Sequence, residues 1–202
     1  MKELIQPRII LDLCGGTGSW SKPYKDNGYD VRVITLPEHD VRTYKPPKNV
    51  YGILAAPPCD QFSFAKATGK PRDLKRGAET MFACLRIIAE AQYENPSHSP
   101  YAKTTTLKFW SLENPNGLMK RFLGKPAFEF NPYDFGDNWK KKTHLWGWFN
   151  DPIKKPIECT KPKFDRMKSK DIHPEFYGIY NRTIRRAMTP QGFAKAFYEA
   201  NL

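Results

Sequence analysis

The chain has 202 residues, 40% of them hydrophobic and 27% charged, which excludes wholesale disorder and suits one domain with a core of its own. Its formal net charge of +12 favours a polyanionic partner, a phosphate backbone first among them, although a plain solubility charge has the same sign. No apolar run reaches bilayer length, the N-terminus does not read as a secretory signal, and the four cysteines form no CxxC pair; the expectation is a cytoplasmic protein without zinc, other metal or disulfide framework.

Residues 8–13 are a short apolar run that meets glycines at once, the pattern of a buried strand entering a turn. Residues 19–27 follow as a short helix. Residues 31–35 and 51–56 read as strands, the second stopped by Pro57 and Pro58. Over 76–92, Met81, Cys84, Leu85 and Ile88 share one helical face. Residues 109–112 read as a strand, 118–123 as a short helix, 144–149 as a late strand and 191–200 as a terminal helix. Strands alternating with helices predict an α/β fold with a mostly parallel central sheet flanked by helices. The organisation divides into a core over 1–150, a basic Lys- and Pro-rich loop or arm over 151–180, and a closing helix over 181–202 that packs back on the core.

Four segments carry candidate chemistry. The turn from Asp12 to Trp20, with Gly15, Gly16 and Gly18, has the strand–glycine–helix form of a nucleoside cradle. It lacks both the G-x-G-x-x-G spacing and a phosphate-loop Lys-Ser/Thr pair, so another adenosine-bearing cofactor fits better than NAD or ATP. Cys59, in Pro57-Pro58-Cys59, stands at the carboxyl end of a predicted strand, where positive neighbours lower a thiol's pKa. Lys66, Lys70 and Arg72 are candidates for that field, and a buried structural thiol is the plain alternative. Glu113, in Leu112-Glu113-Asn114, is a candidate proton donor to a heterocycle nitrogen, or else a turn carboxylate. Lys140, Lys141 and Lys142 are candidate phosphate or base contacts, or else a solvated charge run.

Taken jointly, the order of these motifs resembles the cytosine-C5 DNA methyltransferases. Asp12-Leu13-x-x-Gly16-x-Gly18, then Pro58-Cys59-x-x-Phe62-Ser63, then Leu112-Glu113-Asn114, then the lysines leading to Gly147, follow that family's sequence of motifs. The resemblance spans residues 9–147, and its nearest form is the small phage and prophage members. It implies a Rossmann-like class I fold and a methyl transfer from S-adenosylmethionine to C5 of cytosine in DNA. By position, Asp12, Leu13, Cys14, Gly16, Thr17 and Gly18 would hold the methionine part of the cofactor, Asp40 and its neighbour Val41 the adenine, and Pro57 would wall the cofactor. Pro58 and Ser63 would line the base pocket. Cys59 would be the nucleophile, Glu113 would grip N3 and the exocyclic amine, and Asn114 would brace the loop. Lys140 and Lys142 match two family arginines, the second of which approaches the base O2.

The sequence departs from the family pattern in four places. Cys14 replaces the cofactor-stacking aromatic, for which Trp20 is the nearby substitute. The ribose-binding acid falls at Leu36, with Glu38 displaced from it. Lysines replace both arginines and cannot reproduce a planar fork. About fifty residues follow Gly147, too few for an independent recognition domain beside the closing helix. The expectations are therefore relaxed sequence preference, phosphate contacts from a basic arm beginning at Lys154, and a monomer unless a dimer mate or partner supplies target recognition. RNA or a free cytosine nucleotide are alternative substrates, and a catalytically silent DNA- or cofactor-binding protein is the alternative class.

Overall fold

The computed structural model describes residues 7–65, 71–93, 106–137, 139–156 and 174–202. Lys66, Lys70, Cys159 and most of the basic arm lie outside them. Six strands form one sheet: β1 (Ile9–Leu13), β2 (Asp30–Ile34), β3 (Val50–Ala55), β4 (Phe109–Pro115), β5 (Phe128–Phe130) and β6 (Thr143–Trp148). The spatial order is β2-β1-β3-β4-β6-β5. β2, β1, β3 and β4 pair in parallel, whereas β6 runs antiparallel to both β4 and β5. The sheet is therefore mixed, which corrects the expectation of a mostly parallel one. A hydrophobic run states that a strand is buried and not which way it runs.

Helices cover both faces, because β1 and β3 are apolar on both sides. Leu11, Leu13, Ile53 and Ala55 point to α2 (Leu74–Gln92), which buries Met81, Cys84, Ile87 and Ile88 against them. Ile10 and Leu54 point the other way, into an aromatic layer of Trp20, Tyr24, Phe109, Phe193 and Phe197. That layer is closed by α1 (Lys22–Asp26) and α5 (Gln191–Ala200). A fully buried side chain of this size contributes about 1.5–3 kcal/mol. Phe193 stacks on Phe130 at 4.0 Å between ring centroids, tying the terminal helix to the far edge of the sheet. α3 (Lys120–Leu123) follows β4, and α4 (Arg182–Ala187) precedes α5. The closing segment thus holds two helices where the sequence suggests one. No helix among the described residues is long and apolar enough to cross a membrane.

The order of strands reverses direction at β1. The chain moves outward from β1 to β2, then returns to place β3 on the other side. In open α/β sheets ligands bind in the crevice beyond the strand ends at such a switch point. Here that crevice lies between the turn after β1 and the loop after β3.

Candidate active site

The turn after β1 is shaped by Asp12. Its carboxylate is fully buried, and Oδ2 accepts a hydrogen bond from Ser21 Oγ at 2.6 Å. Gly15 passes so close above it that a Cβ there would lie 2.4 Å from Asp12 Cγ, so only glycine permits the approach. Gly16 is at φ +56°, and a Cβ on it would meet open space. Asp12 Oδ1 has no hydrogen-bond partner among the described residues. Burial raises the Asp12 pKa to about 6, against the opposing hydrogen bond from Ser21.

The loop after β3 carries Pro57, Pro58 and Cys59. It is clamped from several sides. Arg72 donates to the carbonyls of Gln61 at 2.7 Å and Ser63 at 2.9 Å, and the Asp73 N–H donates to Gln61 Oε1 at 2.7 Å. Arg76 of α2 pairs with Asp60. Gly77 of α2 lies against this loop, where a Cβ would fall 2.9 Å from that of Gln61. Arg72, a candidate for the field around Cys59, is thus engaged in bracing the backbone.

The third segment is the end of β4. Asn114 is buried and donates from Nδ2 to the Pro57 carbonyl at 2.9 Å. Beyond it, Leu118 N–H donates to Phe62 O at 2.8 Å and Phe64 N–H to Asn116 O at 3.2 Å, while Ser63 and Gly117 form an antiparallel bridge. Asn116 N–H in turn reaches Lys142 O at 2.9 Å. The cysteine loop, the Glu113 strand and the lysine run are one hydrogen-bonded unit.

Around them lies a cavity of about 1080 Å³. Asp12, Cys14, Gly16, Thr17 and Trp20 line it from the first turn, Pro57, Pro58, Cys59 and Ser63 from the second, and Glu113 with Lys140, Lys141 and Lys142 from the third. Cys59 and Glu113 therefore open into one space. Burial pushes both the Cys59 thiol and the Glu113 carboxyl above their usual ranges, and Lys141 opposes both shifts. Lys141 Nζ stands 3.9 Å from Glu113 Oε1.

Other expected residues are engaged by different partners or lie outside the cavity. Lys142 is ion-paired with Glu129 of β5 at 2.8 Å, so the cation nearest Glu113 is Lys141 instead. Lys140 lies over the Tyr133 ring at 5.7 Å. Asp40 is held by Arg42 and does not line the cavity, and Val41 and Leu13 are core residues. Gly18, at φ +70°, shapes the turn without lining the cavity. Trp20 packs edge-on against Phe197 at 5.4 Å and reaches the cavity from within the aromatic core. Lys154, the first residue of the expected arm, is paired with Asp134 at 3.0 Å. The sequence reading missed the wall supplied by Tyr180 and α4, which no spacing in the sequence announces. Among the described residues no group of three or more His, Cys, Asp or Glu could hold a metal ion.

Compared with protein-family models and with curated proteins, the chain matches none.

Proposed function

We propose that the chain is an S-adenosylmethionine-dependent cytosine-C5 methyltransferase acting on DNA through a Rossmann-like class I methyltransferase core. The observation that carries this reading is the opening of Cys59, Glu113 and the Asp12–Thr17 turn into a single cavity at the sheet's switch point. The net charge of +12 and the lysines on the cavity wall favour a nucleic-acid substrate.

The cofactor suits the first turn on chemical grounds. An unpartnered buried carboxylate oxygen on Asp12 matches a cationic ligand, and bare glycine backbone at Gly15 and Gly16 admits close approach. Asp12, Cys14, Gly16, Thr17 and Pro57 would hold it. Bound there, S-adenosylmethionine supplies an electrophilic methyl on its sulfonium.

The remaining chemistry belongs to the protein. Cytosine C5 is a weak nucleophile. The Cys59 thiolate adds to C6, forming a C–S bond and moving the ring electrons toward C5. Glu113, whose protonated form burial favours, hydrogen-bonds N3 and stabilises the charge that develops on the ring. Lys141 favours the thiolate over the thiol by its positive field. After C5 is methylated, loss of its proton to solvent returns the electron pair to the ring and expels the thiolate from C6. The base must leave the stack to enter such a cavity.

The test is covalent capture. DNA carrying 5-fluorocytosine, which cannot lose a proton from C5, is incubated with the protein and S-adenosylmethionine. A denaturation-resistant adduct with the native chain and none with Cys59→Ser is expected. Absence of both adduct and methylated DNA with the native chain would overturn the reading.

A further inference from the structure

The C-terminal wall of the cavity is built by α4, and its orientation is fixed by one inward arginine. Arg185 is 4% exposed; its guanidinium donates to the Tyr180 carbonyl and lies over the Tyr177 ring at 5.1 Å. Asn181 caps the helix, its side chain accepting from Ile184 N–H at 2.9 Å. With Arg185 turned inward, Arg182 and Arg186 fall one turn apart on the same side of α4, and both line the cavity. Neither has a carboxylate partner among the described residues. The wall is joined to the reacting groups: Lys141 Nζ donates to the Arg186 carbonyl at 3.4 Å while facing Glu113.

Two arginines one turn apart on a cavity wall, neither ion-paired among the described residues, suit successive phosphates better than any neutral ligand. The arm residue expected to do this, Lys154, is engaged by Asp134. We propose that Arg182 and Arg186 clamp the phosphates of the DNA strand that delivers the target base, so that α4 positions that strand over the cavity. The inference rests on the methyltransferase reading above. Phosphate contacts position a strand without reading its sequence, so the clamp carries little sequence preference.

The experiment reads binding alone. A labelled cytosine-bearing oligodeoxynucleotide, single-stranded and as a duplex, is titrated by fluorescence anisotropy across a salt series without cofactor. The proteins are the native chain, Arg182→Ala/Arg186→Ala, Arg182→Lys/Arg186→Lys, and a control, Lys45→Ala/Lys75→Ala, which removes equal charge away from the cavity. The alanine pair should bind at least about tenfold more weakly, with the slope of log K against log salt flattened by about 1.8 for duplex or about 1.4 for single strand. The lysine pair should recover most of that slope, and the control should stay within about twofold of native. Should the alanine pair fail to fold, Arg182→Gln and Arg186→Gln taken singly should each flatten the slope by about half as much.

Three outcomes overturn the clamp: an alanine pair indistinguishable from the control, no binding of either oligonucleotide by the native chain, or deoxycytidine monophosphate competing as strongly as the strand. Failure of the clamp and failure of the methyltransferase reading are distinguishable. A chain that forms the 5-fluorocytosine adduct with an unaltered alanine-pair slope refutes the clamp alone. A chain that forms no adduct yet loses binding in the alanine pair refutes the reaction and keeps the clamp.

Discussion

Asn114 donates its Nδ2–H to the carbonyl of Pro57 at 2.9 Å, joining the strand that carries Glu113 to the loop that carries Cys59. Both ends of the bond are buried. The carbonyl belongs to the residue two before Cys59, so the bond sets where the sulfur stands relative to the carboxyl next to Asn114 in sequence. Asn114→Ala should cost about 1–3 kcal/mol of stability, the usual loss when a buried group is left unpaired. It should also slow adduct formation with 5-fluorocytosine DNA well beyond what the stability loss explains. Asn114→Asp should be worse on both counts, since it sets an acceptor against the carbonyl. Urea unfolding alongside adduct kinetics reads the two effects separately, and equal rates for native and Asn114→Ala would remove the positioning role.

Gly117 makes the matching junction on the far side of the loop. A Cβ there would lie 2.3 Å from the Phe62 carbonyl oxygen, which is backbone and also accepts the Leu118 N–H. Gly117→Ala should therefore push the loops apart, costing about 1–3 kcal/mol in the manner of an overpacked core, and should depress adduct formation. Gly28→Ala is the comparison: Gly28 is at φ +83° with nothing near a would-be Cβ, so strain of about 1–2 kcal/mol is expected with adduct formation intact. Similar activity losses in both variants would show that the effect is global.

The three lysines before β6 are not equivalent, and a pH profile separates them. Lys141 lowers the pKa of both Cys59 and Glu113. The proposed reaction needs an ionised thiol and a protonated carboxyl, and the Glu113 charge itself raises the Cys59 pKa. Lys141→Ala raises both pKa values, so both limbs of the kcat/KM profile should move to higher pH. Lys142→Ala releases Glu129 at the sheet edge and should leave the limbs in place. Identical profiles for the two variants would contradict the assignment of Lys141.

Much of this site is legible before any coordinates. The apolar run 8–13 entering glycines, and the Pro57-Pro58 stop, give the two parallel strands and the crevice between them, because strand ends and glycine turns leave local marks. Strand direction leaves none, which is why residues 144–149 read as a strand while the antiparallel course of β6 goes unread. β5 is three residues long and has no alternation to detect. The lysine run fails for a related reason. In extended chain alternate side chains take opposite sides, and the sequence does not say which parity faces Glu113. The pairings of Asn114 with His144 and Pro115 with Thr143 decide it. α4 is the hardest case: its buried residue is an arginine, Arg185, so the apolar stripe that announces a helix is missing.

Asp12 should make both stability and cofactor binding depend on pH near 6. In the unfolded chain its carboxyl titrates near 3.8, and in the folded protein burial raises that to about 6. The folded state therefore holds this proton more tightly. Below about pH 4 the carboxyl is neutral in both states and contributes no penalty. As pH rises from about 4 to about 6 the unfolded state ionises first, and stability falls by an amount on the order of 3 kcal/mol. Asp12→Asn has no such proton, so the difference between the two unfolding curves should widen over that window and stay constant above it. A cationic ligand beside the carboxylate reverses the preference. The affinity of the native chain for S-adenosylmethionine should grow as pH passes through about 6, while that of Asp12→Asn stays flat. Calorimetric titration of both proteins between about pH 5 and pH 8 checks this, and parallel affinity curves would remove Asp12 from the cofactor site.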